Sequence, residues 1–291
     1  MEIVHIPVLL EEALEQLSIK EGEILVDCTI GEGGHSVEFL KKVGTKGFLI
    51  GIDLDSIVLE KCTERLSKVG TNFRLVHGNF KNVLGIVFEL GFSKVDKIFA
   101  DLGMSSFQLS KGDFGFSFRE NGPLDMRMNK EMQFSAMDVI NRFSENEIAS
   151  ILWECGEERF SRLIARKIVE TREIKQIETT FELASIVSKV YPLHHRKIHP
   201  ATRTFQALRI YVNNELGNLS LMLDEVPEII RIGGRIAIIS YHSLEDRIVK
   251  NVFKKSPKFK ILNKTVIKPK SGELKANRRA RSAKMRVAER V

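Results

Sequence analysis

The sequence predicts an α/β fold, a parallel sheet with helices on both faces, interrupted by an all-helical insertion. Three observations carry this. Short β-like runs alternate with helical patterns, the first run leads into a glycine-rich turn, and about 130 residues of helical periodicity separate the fourth run from the fifth. A crossover between parallel strands needs far fewer residues than that.

Taken in order, residues 7 to 17 place Leu10, Ala13, Leu14 and Leu17 at helical spacing, with Pro7 suited to a first helical position. The five strands are expected at Ile24 to Cys28, Gly47 to Asp53, Phe73 to His77, Val95 to Asp101 and Arg235 to Tyr241. Helices are expected over 144 to 154, 157 to 171, 180 to 190 and 202 to 224, and Phe259 to Lys268 reads as edge strand. The expected domains are therefore 1–108 with 202–291, carrying the sheet, and 109–201, the insertion that recognises substrate.

Charge is unevenly placed. Lys254 to Val291 holds 14 Lys or Arg against Glu273 and Glu289, a net of +12, which leaves residues 1 to 253 at −5 within the total of +7. Val266, Ile267, Leu274, Met285 and Val287 interrupt the basic run, so it is expected to dock on the protein and present a basic face to phosphate. The three cysteines stand far apart in no Cys-x-x-Cys spacing, which excludes a disulfide framework and a zinc site and points to a reducing cytoplasm. No apolar run reaches the length of a membrane span, and the chain is expected to be neither exported nor anchored.

Ligands of open parallel sheets bind beyond the carboxyl ends of the strands. Here those ends carry Asp27 with Gly31-Glu32-Gly33-Gly34-His35, Asp53, Asn79-Phe80, Asp101, and Tyr241-His242-Ser243. The glycines permit a sharp turn and close approach to a ligand, and Asp53, about twenty residues beyond Gly33, suits the hydroxyls of an adenosine ribose. The alternative for Asp53 is a helix cap through Ser56. Ser36 stands where dinucleotide sites usually have a third glycine or alanine, and Asp27 and Glu32 would repel a diphosphate. These acids favour the cationic S-adenosylmethionine over NAD. Phe80 suits either the adenine face or the core, and Asp101 either a helix cap or hydrogen bonds to cofactor or substrate amine.

With these residues in place, the sequence resembles the bacterial ribosomal RNA small subunit methyltransferase H family. The likeness runs over nearly the whole chain. It includes His5-Ile6-Pro7-Val8-Leu9-Leu10, Asp27 to Ser36, Asp101-Leu102-Gly103-Met104-Ser105-Ser106, Gly122-Pro123-Leu124-Asp125-Met126-Arg127-Met128, Thr204 to Asn213 and Ser240 to Arg247. The resemblance implies a class I (Rossmann-like) S-adenosylmethionine-dependent methyltransferase domain with an inserted helical domain. It implies methylation of N4 of a cytidine, cytosine 1402, in the decoding region of 16S rRNA, within the 30S subunit. It also implies cofactor contacts from Gly33, Gly34, His35, Asp53, Phe80, Asp101 and Gln108. Two departures bear on RNA contacts: Phe114 stands where arginine is common, and Arg278 where proline is frequent.

An exocyclic amine conjugated with its ring is a poor nucleophile, so positioning and hydrogen bonding must lower the barrier. Many amino-methyltransferases follow the fourth-strand acid with Pro-Pro and an aromatic residue, whereas Asp101 is followed by Leu102-Gly103-Met104. Asp101 and Tyr241 are the catalytic candidates, Tyr241 for holding a splayed-out base, unless it packs as core. Ser243 is expected to cap the helix beginning at Leu244. His194, His195 and His199 lie within six residues but read with Arg196, Lys197, Arg203 and Arg209 as an RNA-facing edge rather than a metal site. Arg278, Arg279 and Arg281 are the tail's RNA candidates. No metal, membrane or DNA partner is expected. Two rivals share the fold, a nicotinamide-dependent oxidoreductase and an RNA-binding protein that has lost catalysis.

Overall fold

The structure, a computed structural model, describes residues 7–103, 114–130, 132–192 and 199–291, with the side chain of Arg278 excepted. The chain forms two compact units, Met1–Ser105 with Leu216–Val291, and Ser106–Glu215.

The first unit is built on a sheet of β1 (Ile24–Asp27), β2 (Phe48–Asp53), β3 (Phe73–His77), β4 (Val95–Asp101), β5 (Ile230–Ser240), β6 (Phe259–Ile261) and β7 (Lys284–Arg290). Their order is β3-β2-β1-β4-β5-β7-β6, parallel except for β7, which runs antiparallel to both β5 and β6. After β1 the chain winds outward through β2 to β3, then returns to place β4 on the other side of β1. That reversal opens a crevice at the carboxyl ends of β1 and β4. Alternation along the strands supplies two cores. Val26, Ile50, Ile98 and Ile236 face one side, with α4 (Val83–Glu89), α10 (Glu215–Ile229) and α11 (Ser243–Lys255) supplying Val83, Met222 and Val249 there. Leu25, Leu49, Phe99 and Ala237 face the other, with α1 (Leu10–Leu17), α2 (Gly34–Val43) and α3 (Ser56–Leu66) supplying Leu17, Phe39 and Leu66. The first helix begins three residues later than Pro7 suggests, because Leu9 takes a left-handed conformation (φ 56°) and donates its N–H to Glu273 at 2.8 Å.

The basic tail is part of this sheet. Ala280, Ala283, Met285 and Val287 are buried in the second core, and β7 lies inside the edge strand β6. Part of its charge is therefore neutralised internally: Arg286 and Lys284 meet Asp246, Lys258 meets Glu228, and Lys270 of the segment before α12 (Ser271–Ala276) meets Glu12.

The second unit contains α5 (Ala136–Arg142), α6 (Glu145–Gly156), α7 (Ser161–Arg172), α8 (Thr180–Val190) and α9 (Ala201–Val212). Ser135 with Asp138, Ser144 with Glu147 and Thr179 with Glu182 form reciprocal capping boxes that fix three helix starts. Helix α5, only seven residues long, is not among the helices expected from periodicity, although Ser135-x-x-Asp138 announces it. The single helix expected over 202 to 224 is two, divided at Asn213 and at Asn214 (φ 48°). Asn213 is the cause: its amide donates to Met126 O and Arg209 O and accepts from Met128 N, each at 2.8 Å. Residues 202 to 215, expected with the sheet, thus belong to the helical unit. Among the described residues no helix is long and apolar enough to cross a membrane.

Candidate active site

Three carboxylates converge where the strands end. Asp27 closes β1 and is buried; Ser36 Oγ donates to its Oδ2 at 2.6 Å, and Thr29 N–H donates to its Oδ1 at 3.1 Å. The Thr29 hydroxyl also accepts from the N–H of Asp101 at 2.7 Å, which ties the ends of β1 and β4 together. Asp53 accepts from Gly31 N–H at 2.9 Å and Asp55 N–H at 3.0 Å. It is not a helix cap: Asp55 takes that role, accepting from Ile57 and Val58. Burial, helped by the neighbouring Asp101 and Asp53 charges, lifts the Asp27 carboxyl to about 7 against its two hydrogen bonds. Asp53 is raised too, mainly by burial. A cleft so arranged repels anions and is stabilised by a cation.

The glycine turn has a backbone reason. Gly33 precedes α2 with φ 79°, and a Cβ there would stand 2.9 Å from Cys62 Sγ. The turn leaves the first N–H groups of α2, those of Gly34, His35 and Ser36, without intrahelical acceptors. Only the backbone of His35 can serve a ligand at this turn. Its side chain is buried, with Nε2 at 2.8 Å from Val8 O and the ring against Phe99 at 4.6 Å, and burial lowers it to about 4, so it stays neutral. Phe80 sits half-buried after β3, packed against the first core.

Asp101 and Tyr241, taken from strands far apart in sequence, meet: the Tyr241 phenol hydrogen-bonds the Asp101 carboxylate. Gly103 makes room for this pair, since a Cβ there would lie 2.8 Å from the Tyr241 ring. Burial, then the Asp101 charge, holds the phenol well above the usual tyrosine range, so Tyr241 is a neutral donor at physiological pH. The cap of α11 is His242, not Ser243: its ring accepts from Glu245 N–H, while the buried Glu245 accepts from Tyr241 and His242 N–H groups. Glu245 thereby fixes the backbone that carries Tyr241. Thr29 and Glu245 are absent from the residues expected at the site, since they act through the backbone and carry no signal beyond their places beside a strand end. Ser36, in sequence only a missing glycine, is a hydrogen-bond donor to Asp27. Burial pushes the Cys62 thiol up to about 12, which removes it as a nucleophile.

The arginines expected to face RNA divide. Arg209 makes a two-pronged pair with Glu215, at 2.8 and 2.9 Å, and Arg203 donates to Glu157 O at 2.6 Å, closing the end of α6. Both have partners within the helical unit, which engage part of their hydrogen-bonding capacity. In the tail Arg281 is exposed and Arg279 half-buried. Gln108, Arg196, Lys197 and the side chain of Arg278 lie outside the described residues.

The model of the MraW methylase family matches residues 2–291 of this chain. The chain belongs to that family. It is 49% identical over 292 residues to ribosomal RNA small subunit methyltransferase H of Dictyoglomus thermophilum, covering all of this chain and 98% of the relative. To the protein of the same name from Clostridioides difficile it is 44% identical, with both chains fully covered. Among solved structures, one from Clostridium thermocellum described as an rRNA-methylase shares the fold at TM-score 0.50 and 12% identity, covering 99% of this chain and all of that one. The architecture is the Rossmann-like methyltransferase fold with its seven-stranded sheet.

Proposed function

We propose that this MraW-family methylase transfers a methyl group to the exocyclic N4 of a cytidine in the decoding region of 16S rRNA within the 30S subunit, in the cytoplasm. It is an rRNA small subunit methyltransferase, as its full-length relatives are named, and its methyl donor is S-adenosylmethionine. The observation that carries the reading is the convergence of Asp27, Asp53 and Asp101 around a glycine turn. These residues fit that cofactor. The raised Asp27 carboxyl reflects a cleft rich in acids, which the sulfonium and ammonium groups would offset. Asp53 retains lone pairs for ribose hydroxyls, the α2 start offers N–H groups, and Phe80 offers a ring for adenine.

When bound, the cofactor supplies an electrophilic methyl group. The chain supplies placement. Asp101 would accept a hydrogen bond from the amine, holding the nitrogen in line, and would take the proton that nitrogen loses on methylation. Tyr241, neutral and donating to Asp101, orients that carboxylate and lines the place for the base. Asp101→Ala should lower methyl transfer to 30S subunits by about a hundredfold or more, the smaller end of what a general acid–base group contributes. The same substitution at Asp224 of α10 serves as the control. Full activity of Asp101→Ala with unchanged cofactor affinity would remove Asp101 from the chemistry.

A further inference from the structure

The imidazole of His199 is exposed and yet held rigidly. Its Nδ1 accepts the N–H of Ala201 at 3.2 Å, and its carbonyl accepts the N–H of Thr202 at 3.0 Å, so the ring is fixed at the start of α9. One face lies on Phe118, with centroids 4.4 Å apart and planes inclined by 24°. Phe118 is itself held edge-on by the buried Phe205, at 5.0 Å and 74°. With Nδ1 engaged by Ala201, the ring is oriented by its own helix start. Arg119, next to Phe118, is exposed. Nearby in sequence, Phe114 stacks with Phe116, and the Lys130 ammonium lies 5.4 Å from the centroid of the Phe114 ring.

We infer that His199, backed by Phe118, is a stacking platform for an unpaired base of the rRNA substrate. The inference rests on the rRNA reading above. A flat, pre-oriented aromatic surface in water is what single-stranded RNA recognition uses, since an unpaired base presents an apolar face and loses little by leaving solvent. Cap formation alone explains the Nδ1 bond. It does not require an aromatic ring, because an Asn or Ser side chain makes the same bond two residues ahead.

That difference gives the test. His199→Asn keeps a capping acceptor and removes the ring; His199→Phe keeps a ring and removes the acceptor. Steady-state methylation of 30S subunits should show KM raised by about five- to a hundredfold in His199→Asn, the range of one lost base–aromatic stack. Its kcat, cofactor affinity and dependence of KM on salt should match the wild type, because every cation that meets a phosphate is still in place. His199→Phe should stay within a few-fold of the wild-type KM even if its melting temperature falls. A wild-type KM in His199→Asn, or an equal defect in both variants at wild-type melting temperature, overturns the platform. If His199→Asn does not fold, His199→Ser replaces it in the same comparison. Wild-type protein that fails to methylate 30S subunits would instead overturn the rRNA reading itself.

Discussion

Asp27 makes the cleft pH-sensitive in a direction that follows from its surroundings. Its carboxyl is lifted to about 7 chiefly by burial, with Asp101 and Asp53 adding repulsion, so below pH 7 the free protein carries a proton there. A bound cation favours the ionised form and lowers that pKa, so binding releases the proton. S-adenosylmethionine affinity should therefore rise with pH from about 5 to 7, by at most about tenfold per unit, and level off above. Isothermal titration in two buffers of different ionisation enthalpy counts the proton, and Asp27→Asn should abolish both the release and the slope. A flat profile in the wild type would mean that Asp27 does not face the cation. Asp53→Ala should weaken the cofactor by about ten- to a hundredfold, the loss of hydrogen bonds to a charged acceptor. Because Asp53 also holds Gly31, Asp53→Asn is the sharper comparison: its amide oxygen keeps one acceptor, so unchanged affinity in both variants is needed to remove Asp53 from the site.

The elements show what sequence makes legible. Strand ends and the glycine turn are readable because polar residues there interrupt apolar runs and because Gly33 needs a left-handed backbone. The chemistry-bearing residues Asp27, Asp53 and Asp101 are visible for the same reason. What escapes are partners brought in by the fold. Arg203 and Arg209 read as a basic edge because charge alone does not reveal that Glu157 O and Glu215 await them. Asn213 looks like one more helical residue, and its three bonds to a distant segment and to its own helix are invisible to periodicity. The tail's apolar residues announce that it docks but not that it docks as a strand, because β7 is heavily charged; it pairs with β5 over six residues from Arg235 to Ser240. The pairing of Arg209 with Glu215 has a measurable consequence. Arg209→Ala should destabilise the protein by about 1.5–3 kcal/mol, the cost of losing charge-assisted hydrogen bonds, and leave the salt dependence of 30S binding unchanged. A shallower salt slope without a change in denaturation midpoint would return Arg209 to the RNA.

For the molecule as a whole, cofactor and RNA functions should separate. The proposed cofactor residues with described structure lie at strand ends before residue 102, whereas the positive excess lies after residue 253 and is only partly neutralised by acids of the sheet unit. Neutralising Arg278, Arg279 and Arg281 together should leave S-adenosylmethionine affinity unchanged and lower 30S affinity. The slope of log affinity against log salt should fall by about 0.7–0.9 for each phosphate that the variant no longer neutralises. Unchanged slope would place the RNA surface on other residues. The reaction itself is tested most directly by its product. Unmethylated 30S subunits incubated with the protein and labelled S-adenosylmethionine, then digested to nucleosides, should yield label in N4-methylcytidine alone. Wild-type activity should produce it and Asp101→Ala should reduce it. Label in any other nucleoside, or none in cytidine, would contradict N4 methylation of rRNA by this chain.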